Sequence, residues 1–124
     1  MFAERHSVTL LTDGSGNAEA WSPVVTGRLL AVHYVKPGAG GFDNGVDFDV
    51  TIESTGEAVW SQDDVNASAA VYPRAQVHDT AGAGATYDGT AKVLEPVTLA
   101  NDRVKIAVAQ GGSAKSGTFL LIVG

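Results

Sequence analysis

Residues 46–60 have the sequence VDFDVTIESTGEAVW, and this stretch decides the fold class of the chain. Apolar and polar side chains alternate strictly through its first half. Successive side chains of a β-strand point to opposite faces, so the alternation predicts a strand with one buried face and one solvated face. The buried face would be formed by Val46, Phe48, Val50 and Ile52. Residues 54–56, Ser-Thr-Gly, predict a turn into a second strand that places Trp60 in the core.

The rest of the chain repeats this pattern of short apolar runs separated by turn residues. Residues 7–12 predict a first strand, and the turn residues at 13–17 predict that it continues as a hairpin. Residues 24–35 are rich in β-branched side chains and predict a long strand that bends at Gly27. Three further runs, at 93–99, 103–109 and 118–123, predict a C-terminal meander.

Together these runs predict an all-β, single-domain fold over residues 1–124, an antiparallel β-sandwich or small jelly-roll-like barrel of roughly eight strands. Long loops rich in Gly and Ala would connect the strands. A chain of 124 residues is large enough for one core and too small for two.

Composition excludes several classes of function. The formal net charge of −6 argues against nucleic-acid binding, which needs clustered Lys and Arg. No apolar run reaches the ~18 residues that a membrane-spanning helix requires. The absence of Cys removes disulfides, thiolate metal sites and cysteine nucleophiles. We expect a soluble protein, and because the N-terminus lacks the features of a secretion signal, we expect synthesis in the cytoplasm.

Residues 42–49 bring four oxygen-bearing side chains close together in sequence. Carboxylate and amide oxygens are the ligands that Ca²⁺ prefers, so these residues are the candidates for a cation site: Asp43, Asn44, Asp47 and Asp49. Their spacing does not fit an EF-hand loop. The pattern favours a turn followed by a solvated strand face, and we predict no metal site.

No constellation of residues predicts catalysis. His6, His33 and His78 are far apart and lack a paired motif, and His33 fits a structural sheet residue. Asp63 and Asp64 are adjacent, so on an extended chain their carboxylates point apart. Residues 111–116, GGSAKS, lack the second glycine of a phosphate-binding loop. We predict neither an enzyme nor a bound cofactor.

Several short segments show a resemblance to the capsid decoration, or cement, proteins of tailed bacteriophages. The resemblance spans most of the chain and is one of overall pattern, without a single signature motif. The segments that carry it are TGEAVW (55–60), DVNASA (64–69), YPR (72–74), LANDRVKI (99–106), QGG (110–112) and KSGT (115–118).

The resemblance implies a non-enzymatic structural protein of a phage virion. Such a protein is made in the host cytoplasm and binds the outer surface of the expanded capsid, where it stabilises contacts between major capsid subunits. The implied partners are the major capsid protein and further copies of the chain in a homotrimer. Neither nucleic acid nor a membrane is implied.

The least self-sufficient parts of the chain are the expected contact regions. These are an N-terminal arm at residues 1–6 and flexible loops at 37–45 and 80–92. The candidate capsid or intersubunit contacts are Phe2, Glu4, Arg5, His6, Phe42, Asp43, Asn44, Tyr72, Arg74 and Tyr87.

An alternative function follows from the exposed aromatic residues. Trp21, Tyr72 and Tyr87 have flat rings on which a sugar can stack if they lie on one surface. The chain would then be a tail or receptor-facing β-module that binds a surface glycan.

Overall fold

A computed structural model describes residues 2–124, and its regular secondary structure is entirely β-strand. Over these residues no helix has the length and apolar character needed to cross a membrane. The ten strands are β1 (Glu4–Leu11), β2 (Ala18–Trp21), β3 (Val25–Val35), β4 (Val46–Ile52), β5 (Ala58–Val65), β6 (Ala69–Val71), β7 (Arg74–Gln76), β8 (Leu94–Asp102), β9 (Val104–Ala109) and β10 (Ser116–Val123).

The strands form two antiparallel sheets that pack face to face. The six-stranded sheet has the order β1-β10-β3-β8-β7, and β6 also pairs with β3. The four-stranded sheet has the order β2-β9-β4-β5. The predicted all-β fold is therefore confirmed, and the architecture is the sandwich rather than the closed barrel.

The hairpin predicted from residues 46–60 is present as β4 and β5, which pair antiparallel. Every second side chain of β4 lies in the core: Val46, Phe48, Val50 and Ile52 are all buried. Trp60 of β5 is buried as well, as predicted. The predicted bend in β3 is also confirmed, because Gly27 has a φ of 139° beside a bulge in the pairing with β8.

An aromatic cluster connects the two sheets. The ring of Phe48 lies 4.7 Å from that of Tyr34, 4.9 Å from that of Phe119 and 5.3 Å from that of Trp60, measured between centroids. All three contacts are edge-to-face. Each such pair contributes about 0.5–1.5 kcal/mol beyond the area it buries.

The hairpin predicted at residues 13–17 is wrong, although the turn itself is present. The Asp13 carboxylate accepts hydrogen bonds from the backbone N–H groups of Ser15 and Asn17, at 2.8 and 3.0 Å. The strands on either side do not pair: β1 joins the six-stranded sheet and β2 the four-stranded sheet. The turn therefore carries the chain from one layer to the other.

The predicted C-terminal meander is wrong for the same reason. β8 and β10 belong to the six-stranded sheet, whereas β9 between them belongs to the four-stranded sheet. Asn101 and Gln110, near the two crossings, have φ values of 52° and 58°, which turn the chain sharply. Alternation shows which side chains are buried and does not show which sheet buries them.

The N-terminal segment is part of the sheet rather than an arm. Glu4, Arg5 and His6 form the start of β1 and pair with residues 121–123 of β10. Phe2 and Ala3 precede the strand, and Met1 lies outside the described residues. The paired backbone of β10 provides the order that the sequence of this segment alone does not predict.

The loop at residues 37–45 is fixed at its centre by Phe42. This side chain is 1% exposed and stacks on Tyr34 with 5.8 Å between ring centroids, so it is a core residue and not a candidate contact. Ser116 N–H donates to the Gly40 carbonyl, and Asp43 N–H donates to the Gly111 carbonyl. The loop expected to be flexible is thus held to the sandwich on both sides of Phe42.

The segment at residues 80–92 is exposed but has an ordered hydrogen-bond pattern. Backbone bonds connect Val77 with Ala85 and with Val93, and Tyr87 with Ala91. Residues 80–92 therefore form a folded double turn, and their flexibility stays a prediction from the low complexity of the sequence.

Replacing Gly117 with alanine tests the packing around Phe42. A Cβ atom there would lie 2.5 Å from Phe42 and 2.9 Å from Tyr34, so Gly117→Ala should destabilise the fold by about 1–3 kcal/mol. Gly14→Ala is the control, because a Cβ there meets nothing within 4 Å. Urea unfolding followed by Trp fluorescence measures both variants. Equal stability of the two variants would contradict the tight packing of Phe42.

Candidate functional site

The outer face of the six-stranded sheet is the surface that gathers most of the candidate contacts. Inward side chains alternate with outward ones, and the strand register places the outward ones in cross-strand rows. These rows are Arg5, Ile122 and Ala31; Ser7, Leu120, His33 and Ala70; and Thr9, Thr118 and Val35. Apolar residues thus occupy the centre of a face that points away from the core.

Tyr72 extends this apolar surface. Its ring is 62% exposed and meets the His33 ring edge-on, with 6.3 Å between centroids. Val35 is also exposed, while Leu120 and Ile122 are half-buried. We call Val35, Tyr72, Leu120 and Ile122 the outer strip.

Two arginines lie beside the outer strip. Arg5 is opposite Ile122 in the pairing of β1 with β10. The Arg74 guanidinium donates to the Pro73 carbonyl at 2.8 Å and to the Leu30 carbonyl of β3 at 3.4 Å, which holds it against the sheet. β3 and β10 contain no Asp or Glu, so the centre of this face carries no acidic side chain from its own strands.

The remaining candidate contacts do not join this surface. Glu4 and His6 are on the opposite side of β1 from Arg5 and approach each other at 3.4 Å, between Oε2 and Nε2. Asn44 Oδ1 accepts a hydrogen bond from Lys36 Nζ at 2.9 Å, next to Asp43 in the 37–45 loop. The aromatic rings of the other two, at positions 2 and 87, are 92% and 76% exposed, one before β1 and one in the double turn.

The outer face of the four-stranded sheet has the opposite character. A cleft of about 510 Å³ lies over Ala107 and Ala109 of β9, whose short side chains leave a depression between the neighbouring strands. Its walls carry four acidic residues: Glu19, Asp47, Asp49 and Asp63. One face of the sandwich therefore has an apolar centre with two arginines beside it. The other, which we call the acidic face, has four acids around the cleft, with Arg103 and Lys105 beside Trp21.

Two of the four residues considered for a cation site, Asp47 and Asn44, accept hydrogen bonds from donors of the protein itself. Asp47 accepts hydrogen bonds from the Asp64 N–H and from Gln110 Nε2, both at 3.1 Å. Asn44 Oδ1 accepts a hydrogen bond from Lys36 Nζ, and Asp49 lies on the cleft wall. Within residues 2–124 no group of three or more His, Asp or Glu side chains is placed to hold a metal ion.

The three histidines lie on separate elements. His6 is on β1, His33 is on the outer face of β3, and His78 forms an isolated bridge with Gly84 in the double turn. His6 Nε2 lies 3.4 Å from Glu4 Oε2, so one of the three histidines is beside a carboxylate. The backbone N–H of Asp64 donates to the Asp47 carboxylate, and Asp63 lies on the cleft wall.

The aromatic residues of the glycan alternative do not form one platform. Trp21 is 41% exposed on the outer face of the four-stranded sheet, where Arg103 and Lys105 lie 5.6 and 5.9 Å from its ring centroid. Tyr72 is on the outer face of the other sheet, beside His33. The sandwich core separates the two rings, so a sugar could stack on only one of them.

The chain matches no model of a known protein family, and no curated protein matches it. The assignment of a function therefore depends on the surfaces described above and on the resemblance of the short segments.

The carboxylate of Asp88 makes the double turn sensitive to acid. The backbone N–H groups of Ala91 and Thr90 donate to it, at 2.8 and 2.9 Å, and lower the pKa of Asp88 below its ordinary 3.8. Because the folded-state pKa is lowered, the stabilisation is present above the ordinary pKa and is lost as pH falls through the folded value.

We expect Asp88→Asn to lower the melting temperature at pH 7, and this difference from the wild type to disappear in acid below the Asp88 pKa. Thermal melts by circular dichroism across this pH range measure the effect. Asp63→Asn is the matched control, because the Asp63 carboxylate accepts no hydrogen bond from the described residues. A difference in melting temperature between the wild type and Asp88→Asn that stays the same at every pH would contradict the prediction.

Proposed function

We propose that this chain is a non-enzymatic structural protein of a phage virion that binds the outside of the expanded capsid as a decoration protein. It would stabilise contacts between subunits of the major capsid protein. The observation that carries the proposal is the outer strip with Arg5 and Arg74 beside it, which supports the role implied by the resembling segments.

The composition of this surface suits a protein interface. Protein–protein interfaces are enriched in Tyr, other aromatic residues and Arg, and the cores of such interfaces are depleted of acidic residues. The outer strip supplies Tyr72 and three aliphatic side chains. Of the two neighbouring arginines, Arg74 is hydrogen-bonded to the Pro73 carbonyl, and Arg5 lies opposite Ile122 in the sheet. Little side-chain entropy would then be lost when Arg74 binds, because its guanidinium is bonded in the free protein.

The acidic face gives the proposal its orientation. If the outer strip faces the capsid, the cleft with Asp47, Asp49 and Asp63 faces the solvent. Exposed negative charge keeps a particle dispersed through mutual repulsion. The chain carries a formal charge of −6, and this orientation places part of that charge on the outside of the decorated head.

The set of contacts proposed now differs from the set expected from the sequence. Arg5, Tyr72 and Arg74 are retained as the central contacts. Phe2 and Tyr87 are exposed but do not join the outer strip, and Phe42 is removed because it is buried. Association into a homotrimer stays an implication of the resemblance.

Binding to heads that lack the protein tests this proposal. Tyr72→Ala and Arg74→Ala should each weaken binding by about tenfold or more, since truncating a central Tyr or Arg costs ~2 kcal/mol at many interfaces. Asp49→Asn, on the acidic face, is the matched control and should bind like the wild type. Co-sedimentation with expanded heads over a concentration series measures the affinities, and the heat resistance of the heads measures stabilisation.

Each outcome of this experiment has a definite meaning. Saturable binding that Tyr72→Ala and Asp49→Asn weaken equally would place the contact elsewhere on the chain. Failure of the wild-type protein to bind any head would overturn the proposed function. Binding to a glycan array in that case would favour the alternative of a glycan-binding module.

A further inference from the structure

β1 is a long and regular strand at the free edge of the six-stranded sheet. It pairs with β10 over all eight of its residues without a bulge. Among residues 2–124 no strand is hydrogen-bonded to its other side. An unpaired edge of this kind presents backbone donors and acceptors to any chain that can add a further strand.

The backbone groups that point away from the sheet can be identified from the ladder. Thr12 N–H donates to the Lys115 carbonyl at 2.8 Å. In an antiparallel ladder the backbone groups of every second residue point to the same neighbour, so those at positions 10, 8, 6 and 4 also point to β10. The N–H and C=O groups of the alternate residues, Arg5, Ser7, Thr9 and Leu11, point to the free edge. None of these groups bonds to the backbone of another turn or loop in the part of the chain that the structure describes.

β1 is less protected than the other sheet edges. β5 is interrupted by two register shifts against β4, and it carries Asp64 with a φ of 58°. The remaining edge strands are short, with four residues in β2 and three each in β6 and β7. Bulges, charge and short length are the usual protections of an edge. β1 carries the charged residues Glu4 and Arg5, but it is eight residues long and has no bulge, no Pro and no Lys.

We propose that a second copy of this chain pairs with β1, antiparallel, about a twofold axis at Val8. Ser7 then lies opposite the partner's Thr9, and Arg5 lies opposite the partner's Leu11. The two six-stranded sheets join into one continuous sheet across the axis. An isologous contact of this kind closes at two copies. The inference is independent of the proposed role on a capsid.

The spacing of the edge groups selects this register over its neighbours. Pairing about Val8 engages the N–H and C=O groups of all four edge residues in both copies. A shift of two residues in one direction leaves Leu11 unpaired, and a shift in the other direction leaves Arg5 unpaired. A shift of one residue would turn the inward face of one strand outward.

The side chains support the same register. This register keeps the Arg5 side chains of the two copies apart, so no like charges meet. It also sets the hydroxyl groups of Ser7 and Thr9 opposite each other across the interface. Leu11 is 67% exposed in the single chain and becomes covered by the partner strand. Apolar area that leaves water in this way favours association.

The mass in solution and a proline substitution test the pairing. Light scattering coupled to size exclusion should give twice the chain mass of 12.7 kDa as concentration rises. Thr9→Pro removes an N–H that faces the free edge without removing a bond to β10, so it should give a folded monomer. Thr9→Ala keeps that N–H and should remain a dimer. Circular dichroism melts confirm that both variants fold.

A single cysteine tests the register independently of proline. The chain has no Cys, and the twofold axis sets Val8 against the same residue of the partner as a non-hydrogen-bonded pair, about 4.5 Å apart between Cα atoms. That separation is within the range of a disulfide. Val8→Cys should therefore form a covalent dimer on mild oxidation, whereas Thr9→Cys, one residue away, should not.

Three results would overturn the pairing. The first is a wild-type mass of one chain at every concentration, and the second is a mass of three chains, which would favour the trimer implied by the resemblance. The third is cross-linking through Thr9→Cys in preference to Val8→Cys. None of these results depends on binding to heads, so failure here is distinct from failure of the proposed function.

Discussion

The contact of Phe48 with Tyr34, Phe119 and Trp60 is the interaction on which the rest of the structure depends. Phe48 and Trp60 come from the four-stranded sheet, and Tyr34 and Phe119 come from the six-stranded sheet. Once these rings are buried, the alternation of side chains along each strand fixes which residues must point to water. Phe42 closes the same cluster from the loop at 37–45, and it fits only because Gly117 has no side chain.

The cluster therefore also determines the character of both outer faces. On β3 and β10 the residues opposite the core positions are His33, Val35, Leu120 and Ile122, which give an apolar surface. On β4 and β9 the corresponding residues include the acids and alanines of the cleft, and also Thr51 and Lys105, which lie opposite each other. The inward positions of both sheets are apolar, so the difference between the two outer faces arises from a few outward positions alone.

The sequence predicts what is local and fails where two distant segments decide the result. Alternation identifies the buried face of β4 correctly, and the positive φ of Gly27 follows from a glycine within a β-branched run. It gives no information about the sheet that a strand joins, so the turn at 13–17 was assigned to a hairpin when it is a crossing. A Phe in a loop rich in Gly has the local appearance of an exposed residue, and its burial depends on Gly117 far along the chain. Tyr72 is the one member of the outer strip among the contacts expected from the sequence, with Arg5 and Arg74 beside the strip. Val35 is not among those contacts, and neither are Leu120 and Ile122. The signal for these two was the continuous apolar run at 118–123, because a strand that is apolar on both faces in a two-layer sandwich leaves one apolar face uncovered.

The free edge of β1 and the outer strip lie on the same sheet without competing for the same atoms. The edge offers backbone groups in the plane of the sheet, and the strip offers side chains that project from it. A twofold axis through the paired β1 strands is perpendicular to the sheet, so the outer strips of both copies point in the same direction. A dimer would then carry two strips on one continuous surface. Two weak contacts joined in this way bind a repeating surface more tightly than either contact alone, because the second forms at a high effective concentration. Pairing at β1 would therefore raise the affinity for a surface with repeated sites, without adding any contact within either strip.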